Sequence, residues 1–87
     1  MKIKDGFVIR QVGGEHVVVP VGERSKEFHG MINMNKTGAF LWNFFSQSHT
    51  LEEGVDALCG EYNVEKDVAE TDVKRFLDVL QRNGFIE

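Results

Sequence analysis

The apolar residues of this chain change their period once, near Asn35, and that switch constrains the fold more than any other feature of the sequence. Up to Met34 the pattern is that of strands. Phe7-Val8-Ile9-Arg10-Gln11-Val12 and Glu15-His16-Val17-Val18-Val19-Pro20-Val21 are β-prone runs on either side of Gly13-Gly14. Two such runs about a Gly-Gly pair predict a hairpin with a type I′ turn, in which both central residues take φ > 0. Pro20 has no N–H to donate, so pairing should weaken or end near it. Gly22 to Gly30 is polar and charged and reads as a loop. Met31-Ile32-Asn33-Met34 reads as a short third strand, with Ile32 and Met34 facing one way and Met31 and Asn33 the other.

Beyond Asn35 the spacing is helical. Asn35 can cap a first helix running from Lys36 to about Ser46. Phe40, Leu41, Trp42, Phe44 and Phe45 cover an arc of roughly 200° on it, at ~100° per residue. A helix apolar on so many sides belongs in the middle of the molecule, against both sheet and helices. Thr50-Leu51-Glu52-Glu53 has the pattern of a capping box. Leu51, Val55, Leu58, Cys59 and Tyr62 then form an amphipathic stripe, on a helix that Gly54 and Gly60 should weaken. A third helix runs from about Glu65 to Asn83, with Gly84 as its left-handed stop and Phe85-Ile86 as an apolar tail that folds back. Ala69, Val73, Phe76, Leu77 and Leu80 make its core stripe, and Val68, Asp72, Arg75 and Val79 lie on a flank beside it. The expected fold is α+β and winged-helix-like, a three-stranded antiparallel sheet followed by three helices, in a single domain over residues 1–87. Phe40, Leu41, Phe45, Leu58, Val73, Phe76 and Leu80 should share one core.

Composition narrows the function. A chain of 87 residues buries only about 60–65% of its unfolded surface and has little material for a deep active-site cavity. A formal net charge of -4 disfavours phosphate backbones and anionic lipid, so neither nucleic acid nor membrane is expected as a partner. Cys59 is the single cysteine; no disulfide can form within the chain, which reads as cytoplasmic. No apolar run is long enough for a signal peptide or a membrane span.

No catalytic constellation emerges. Cys59 sits on a core stripe, and His16, His29 and His49 are scattered without a ligand partner at metal spacing. The glycines form neither phosphate-binding nor dinucleotide-binding loops. Glu52, Glu53, Glu65, Asp67 and Asp78 read as solvated helix-surface residues, whereas general acid–base work needs carboxylates enclosed in a cleft. The expectation is a chain that is not an enzyme and uses neither cofactor nor metal. A winged helix-turn-helix binder of nucleic acid is the alternative, since the last two helices and the preceding sheet could form one. Against it, the entry of the third helix carries Glu65, Asp67, Glu70 and Asp72 against Lys66 alone, which a phosphate backbone would repel.

The segment Met34-Asn35-Lys36-Thr37-Gly38-Ala39-Phe40-Leu41-Trp42 resembles the Leu-Asn-x-Thr-Gly-Ala-x-Ile/Leu-Trp/Leu signature of PqqD-like proteins. Tyr62-Asn63-Val64, Asp72-Val73-Lys74-Arg75-Phe76-Leu77-Asp78-Val79-Leu80 and Gly84-Phe85-Ile86 are similar to that family's later motifs, in the same order. The resemblance implies a winged-helix-like recognition domain for the leader segment of a ribosomally made precursor peptide. The leader would add as a strand to the third strand and be presented to a modifying enzyme, often a radical S-adenosylmethionine enzyme. Carried over, Gly30, Met31, Ile32, Asn33 and Met34 would supply the strand edge, and Val68, Asp72, Arg75 and Val79 the helical wall. Phe44-Phe45 and the polar Ser46-Gln47-Ser48-His49 loop depart from the family pattern, so a pathway other than the quinone-cofactor one fits equally well. The residues themselves agree: a short third strand reached through a polar loop leaves an open sheet edge, which is what strand addition uses.

Overall fold

The computed structural model describes residues 1–27 and 32–86, and strands give way to helices at Asn35. In chain order the elements are β1 (Phe7–Val12), β2 (Glu15–Pro20), α1 (Arg24–Glu27), β3 (Ile32–Met34), α2 (Lys36–Phe44), α3 (Leu51–Tyr62) and α4 (Lys66–Arg82). The strands form one antiparallel sheet in the order β1-β2-β3, so the architecture is α+β, a sheet with helices α2 to α4 following it. The three helices expected from the sequence are these last ones.

The hairpin closes on Val12↔Glu15, but its turn differs from the expected type I′. Of its two glycines only Gly13 lies in the left-handed region, at φ +63, which is the pattern of a type II′ turn. The polar segment after β2 also differs from expectation, since it contains the single helical turn α1. Ser25 Oγ donates to the Gly22 carbonyl at 2.6 Å, and Arg24 Nε donates to the Asp5 carbonyl at 3.2 Å. The Arg24 guanidinium lies 5.6 Å from the Phe7 ring centre. Neither the local Ser25 bond nor the longer-range contacts of Arg24 can be read from hydrophobic periodicity, which α1 lacks.

The helix ends follow their signals. Asn35 Oδ1 accepts from the Gly38 N–H at 2.8 Å. Thr50 Oγ1 accepts from the Glu53 N–H, and Glu53 Oε1 accepts from the Thr50 N–H, completing the capping box. Gly84 takes φ +72, and the Phe85 N–H then reaches the Leu80 carbonyl at 2.8 Å, which turns the tail back onto the core.

One apolar cluster joins sheet and helices: Val18, Leu41, Trp42, Phe45, Val55, Leu58, Val73, Phe76, Leu80 and Phe85 all belong to it. The Trp42 ring meets Phe85 edge-on at 5.7 Å, and Phe45 lies 6.3 Å from Phe76. Phe40 departs from expectation. It is half-buried at the margin, its ring edge-on to Tyr62 at 5.7 Å, and Tyr62 is itself exposed. An apolar arc as wide as that of α2 exceeds what its neighbours can cover, and Phe40 is left on the rim. The Ile3 N–H donates to the Phe45 carbonyl and the Lys4 N–H to the Phe85 carbonyl; the first residues thus clamp α2 to the tail, a tie that no sequence pattern announced.

Candidate functional site

The hydrogen-bond phase of the sheet decides what β3 offers to a partner. The Val21 N–H donates to the Gly6 carbonyl at 2.8 Å, so Gly6 and Val21 form a hydrogen-bonded pair. Opposed pairs alternate along an antiparallel ladder between bonded and non-bonded. Counting from Gly6, the bonded pairs of the hairpin are Val8·Val19, Arg10·Val17 and Val12·Glu15. His16, Val18 and Pro20 therefore turn their backbone groups away from β1, and the missing donor of Pro20 costs that ladder nothing. On this side β2 meets β3 in the register His16↔Met34, Val17↔Asn33, Val18↔Ile32. Ile32 and Met34 pair with β2, and the N–H and C=O of Asn33 point outward, to the side of β3 that carries no strand among the described residues.

A cleft of about 320 Å³ lies along that edge. Ile32, Asn33 and Met34 form one side. Asn35, Thr37, Gly38 and Leu41, from the β3–α2 junction and the first turns of α2, form its end and floor. Asp72, Arg75, Phe76 and Val79 of α4 form the opposite side. The floor is apolar: Phe76, 8% exposed, lies at its base, and the fully buried Leu41 packs beneath. Gly38 lets α2 start close against the strand: a Cβ there would lie 3.2 Å from Met34 Cβ.

Ile32, Asn33, Met34, Asp72, Arg75 and Val79 of the expected residues are thus brought together. Val68, on the same flank of α4, is 48% exposed and does not line the cleft. It lies one helical turn before Asp72. Gly30 and Met31 fall outside the described residues. Asn35, Thr37, Gly38, Leu41 and Phe76 were missed as site residues. Thr37 and Gly38 carried a signal in the signature segment, whereas Leu41 and Phe76 were read only as core, and periodicity cannot tell a core residue from a cleft floor.

Charge is distributed unevenly along α4. Lys74 Nζ lies 2.9 Å from Glu70 Oε1, and Arg82 Nε lies 3.0 Å from Asp78 Oδ2. The Lys74 hydrogen bond holds the Glu70 carboxyl below its ordinary pKa. By contrast, among the described residues Asp72 and Arg75 have no hydrogen-bond or ion-pair partner. Away from the cleft, the backbone N–H of Thr50, with His49 nearby, lowers the Glu53 pKa. Both lowered carboxyls sit in exposed helix pairs and stay ionised. His49 is not an isolated surface side chain: it stacks on Phe44 at 3.9 Å. Cys59 is half-buried against the core. Among the described residues no group of three His, Cys, Asp or Glu side chains could hold a metal ion, and no helix is long and apolar enough to cross a membrane.

Residues 15–86 match the family described as Coenzyme PQQ synthesis protein D (PqqD). The chain belongs to the PqqD family. Among solved structures, that of TbiB1 in complex with the TbiA(beta) leader peptide is similar, with a TM-score of 0.76 and 28% identity over 100% of this chain and 95% of that one. Among curated proteins none matches.

Proposed function

We propose that this chain captures the leader segment of a ribosomally made precursor peptide by strand addition to β3 and presents it to a modifying enzyme, with no chemistry of its own. The observation that carries the reading is the outward-facing N–H and C=O of Asn33, at the side of a cleft with an apolar floor. An extended peptide laid along β3 would bond to those groups and place alternate side chains over Ile32, Met34 and Phe76. The leader peptide bound by the structurally similar TbiB1 supports the same ligand class. In this reading residues 1–87 act as one recognition domain in the cytoplasm, and the enzyme served is a radical S-adenosylmethionine enzyme, as the family resemblance implies.

The test is a titration of the chain with leader peptides encoded beside its gene, read by amide chemical shifts and by affinity. Shifts should concentrate at Ile32–Met34 and on α4. Asn33→Pro removes the outward donor and fills the edge with a ring while leaving the β2 ladder intact. It should weaken binding more than about tenfold, because it removes a backbone bond and obstructs its neighbours. Asn33→Ala keeps the N–H and should bind nearly as the parent does. Equal binding by Asn33→Pro and the parent would refute strand addition at β3.

A further inference from the structure

We infer that the peptide segment taken by this cleft carries one acidic and one basic side chain next to apolar side chains at alternate positions, with Arg75 selecting the acid and Asp72 the base; the inference rests on the strand-addition reading above.

The alternation follows from the register. A strand paired to the outward groups of Asn33 has one residue opposite Asn33, on the sheet face away from the core. The residues before and after that one fall on the core face, beside Ile32 and Met34. They are two positions apart in the peptide, and both sit above Phe76, which is 8% exposed beneath the cleft. Apolar side chains at these two positions would be buried against Ile32, Met34 and Phe76, which favours them there.

The charges follow from α4. Asp72 and Arg75 are about 4.5 Å apart along the helix axis, and Val79 is about 6 Å further on. That whole span is comparable to three residues of an extended strand, about 10 Å. Both charges therefore lie within reach of the core-face positions that flank this stretch, where the acid and the base of the peptide would sit. Elsewhere on this helix, acid and base at i, i+4 are closed into pairs, Glu70 with Lys74 and Asp78 with Arg82. Asp72 and Arg75, which line the cleft, have no partner among the described residues.

A peptide of a single sign would satisfy one of the two and leave the other unpaired beneath it, so the pair discriminates against such peptides as well as attracting its own. The field of the whole chain could not do this. A formal net charge of -4 by itself favours any basic peptide; Arg75 is the local group that requires an acid.

The experiment selects from a displayed library of random twelve-residue peptides on the full chain, then measures enriched peptides in solution. Enriched sequences should show apolar residues at i and i+2 with one acid and one base close by. The double variant Asp72→Lys/Arg75→Glu leaves the net charge unchanged. It should bind those peptides on the order of tenfold more weakly, the sum of two modest charged contacts. A peptide with its acid and base exchanged should recover the loss, and the effect should shrink at high salt. Amide shifts of the enriched peptides separate the two ideas. If shifts fall on β3 and α4 but the peptides lack the charge pair or ignore the double variant, the charge selection is overturned and strand addition stands. If nothing is enriched, or shifts fall on β1 or α3, both are overturned.

Discussion

Gly54 and Gly60 lie on the same helix, six positions apart, and the same change at each should move stability in opposite directions. Gly54 is buried against Phe45, the residue that closes α2, and Val73 of α4. A Cβ added there would lie 2.7 Å from Phe45 Cζ, 3.0 Å from Phe45 Cε2 and 3.4 Å from Val73 Cγ1. The Phe45 ring has no room to retreat: it is 0% exposed, with Phe44 edge-on at 5.3 Å and Phe76 stacked at 6.3 Å. Overpacking of this kind costs about 1–3 kcal/mol, and a contact of 2.7 Å against an enclosed ring places it in the upper half of that range. The gain in helix propensity from Gly to Ala returns about 0.8–1 kcal/mol, so Gly54→Ala should be destabilised by about 1–2 kcal/mol. At Gly60 an added Cβ meets nothing within 4 Å, leaving only the propensity term. Gly60→Ala should therefore gain about 0.5–1 kcal/mol. Thermal unfolding followed by circular dichroism resolves both, since 1 kcal/mol shifts Tm by roughly 4–8 °C in a domain of this size. A Gly54→Ala variant at least as stable as the parent would refute the tight crossing of α3 over Phe45. A destabilised Gly60→Ala would show that propensity does not decide at that site.

Phe76→Ala should lose about 3–5 kcal/mol, as truncated core aromatics do, in urea unfolding; a loss under about 1 kcal/mol would remove Phe76 from the core. The lowered pKa of Glu53 means that its carboxylate contributes stability above its ordinary pKa of 4.5 and that this is lost as pH falls through that value to the depressed one. The Tm gap between the parent and Glu53→Gln should accordingly close on acidification from pH 7 to about pH 3, and a gap that widens would contradict the assignment. No specific duplex DNA binding is expected at physiological salt, because α4 opens with Asp67, Glu70 and Asp72. A footprint on a defined site that disappears with Lys74→Ala or Arg75→Ala would overturn this.

Local chemistry was readable without coordinates wherever a residue acts on its own neighbours. Asn35, Thr50 with Glu53, and Gly84 end or begin helices through bonds to groups within five positions. The stripe Ala69, Val73, Phe76, Leu77, Leu80 repeats at the helical period, and all five side chains are buried. What failed was of another kind. The turn type at Gly13-Gly14 depends on ψ as well as on residue type, and two glycines are compatible with either primed turn. The single turn α1 has no apolar face to betray it. Gly54 looked like a defect in a helix and is instead the point where two helices touch.

The site divides in the same way. Strand content before Asn35, helix content after it, the mixed flank Asp72-Arg75-Val79 and the acidic entry of α4 were determined by the sequence alone, because each depends on residue type and period within one element. Tertiary structure decided which backbone groups of β3 face outward, since that phase is inherited through β2 from the Gly6·Val21 pair. It also decided that Val68 lies beyond the cleft while Phe76 lies at its base, with Leu41 packed beneath. Those outcomes depend on which residues of a long helix come to lie beside a short strand. No single element carries that information; it arises when β3, α2 and α4 pack against one another.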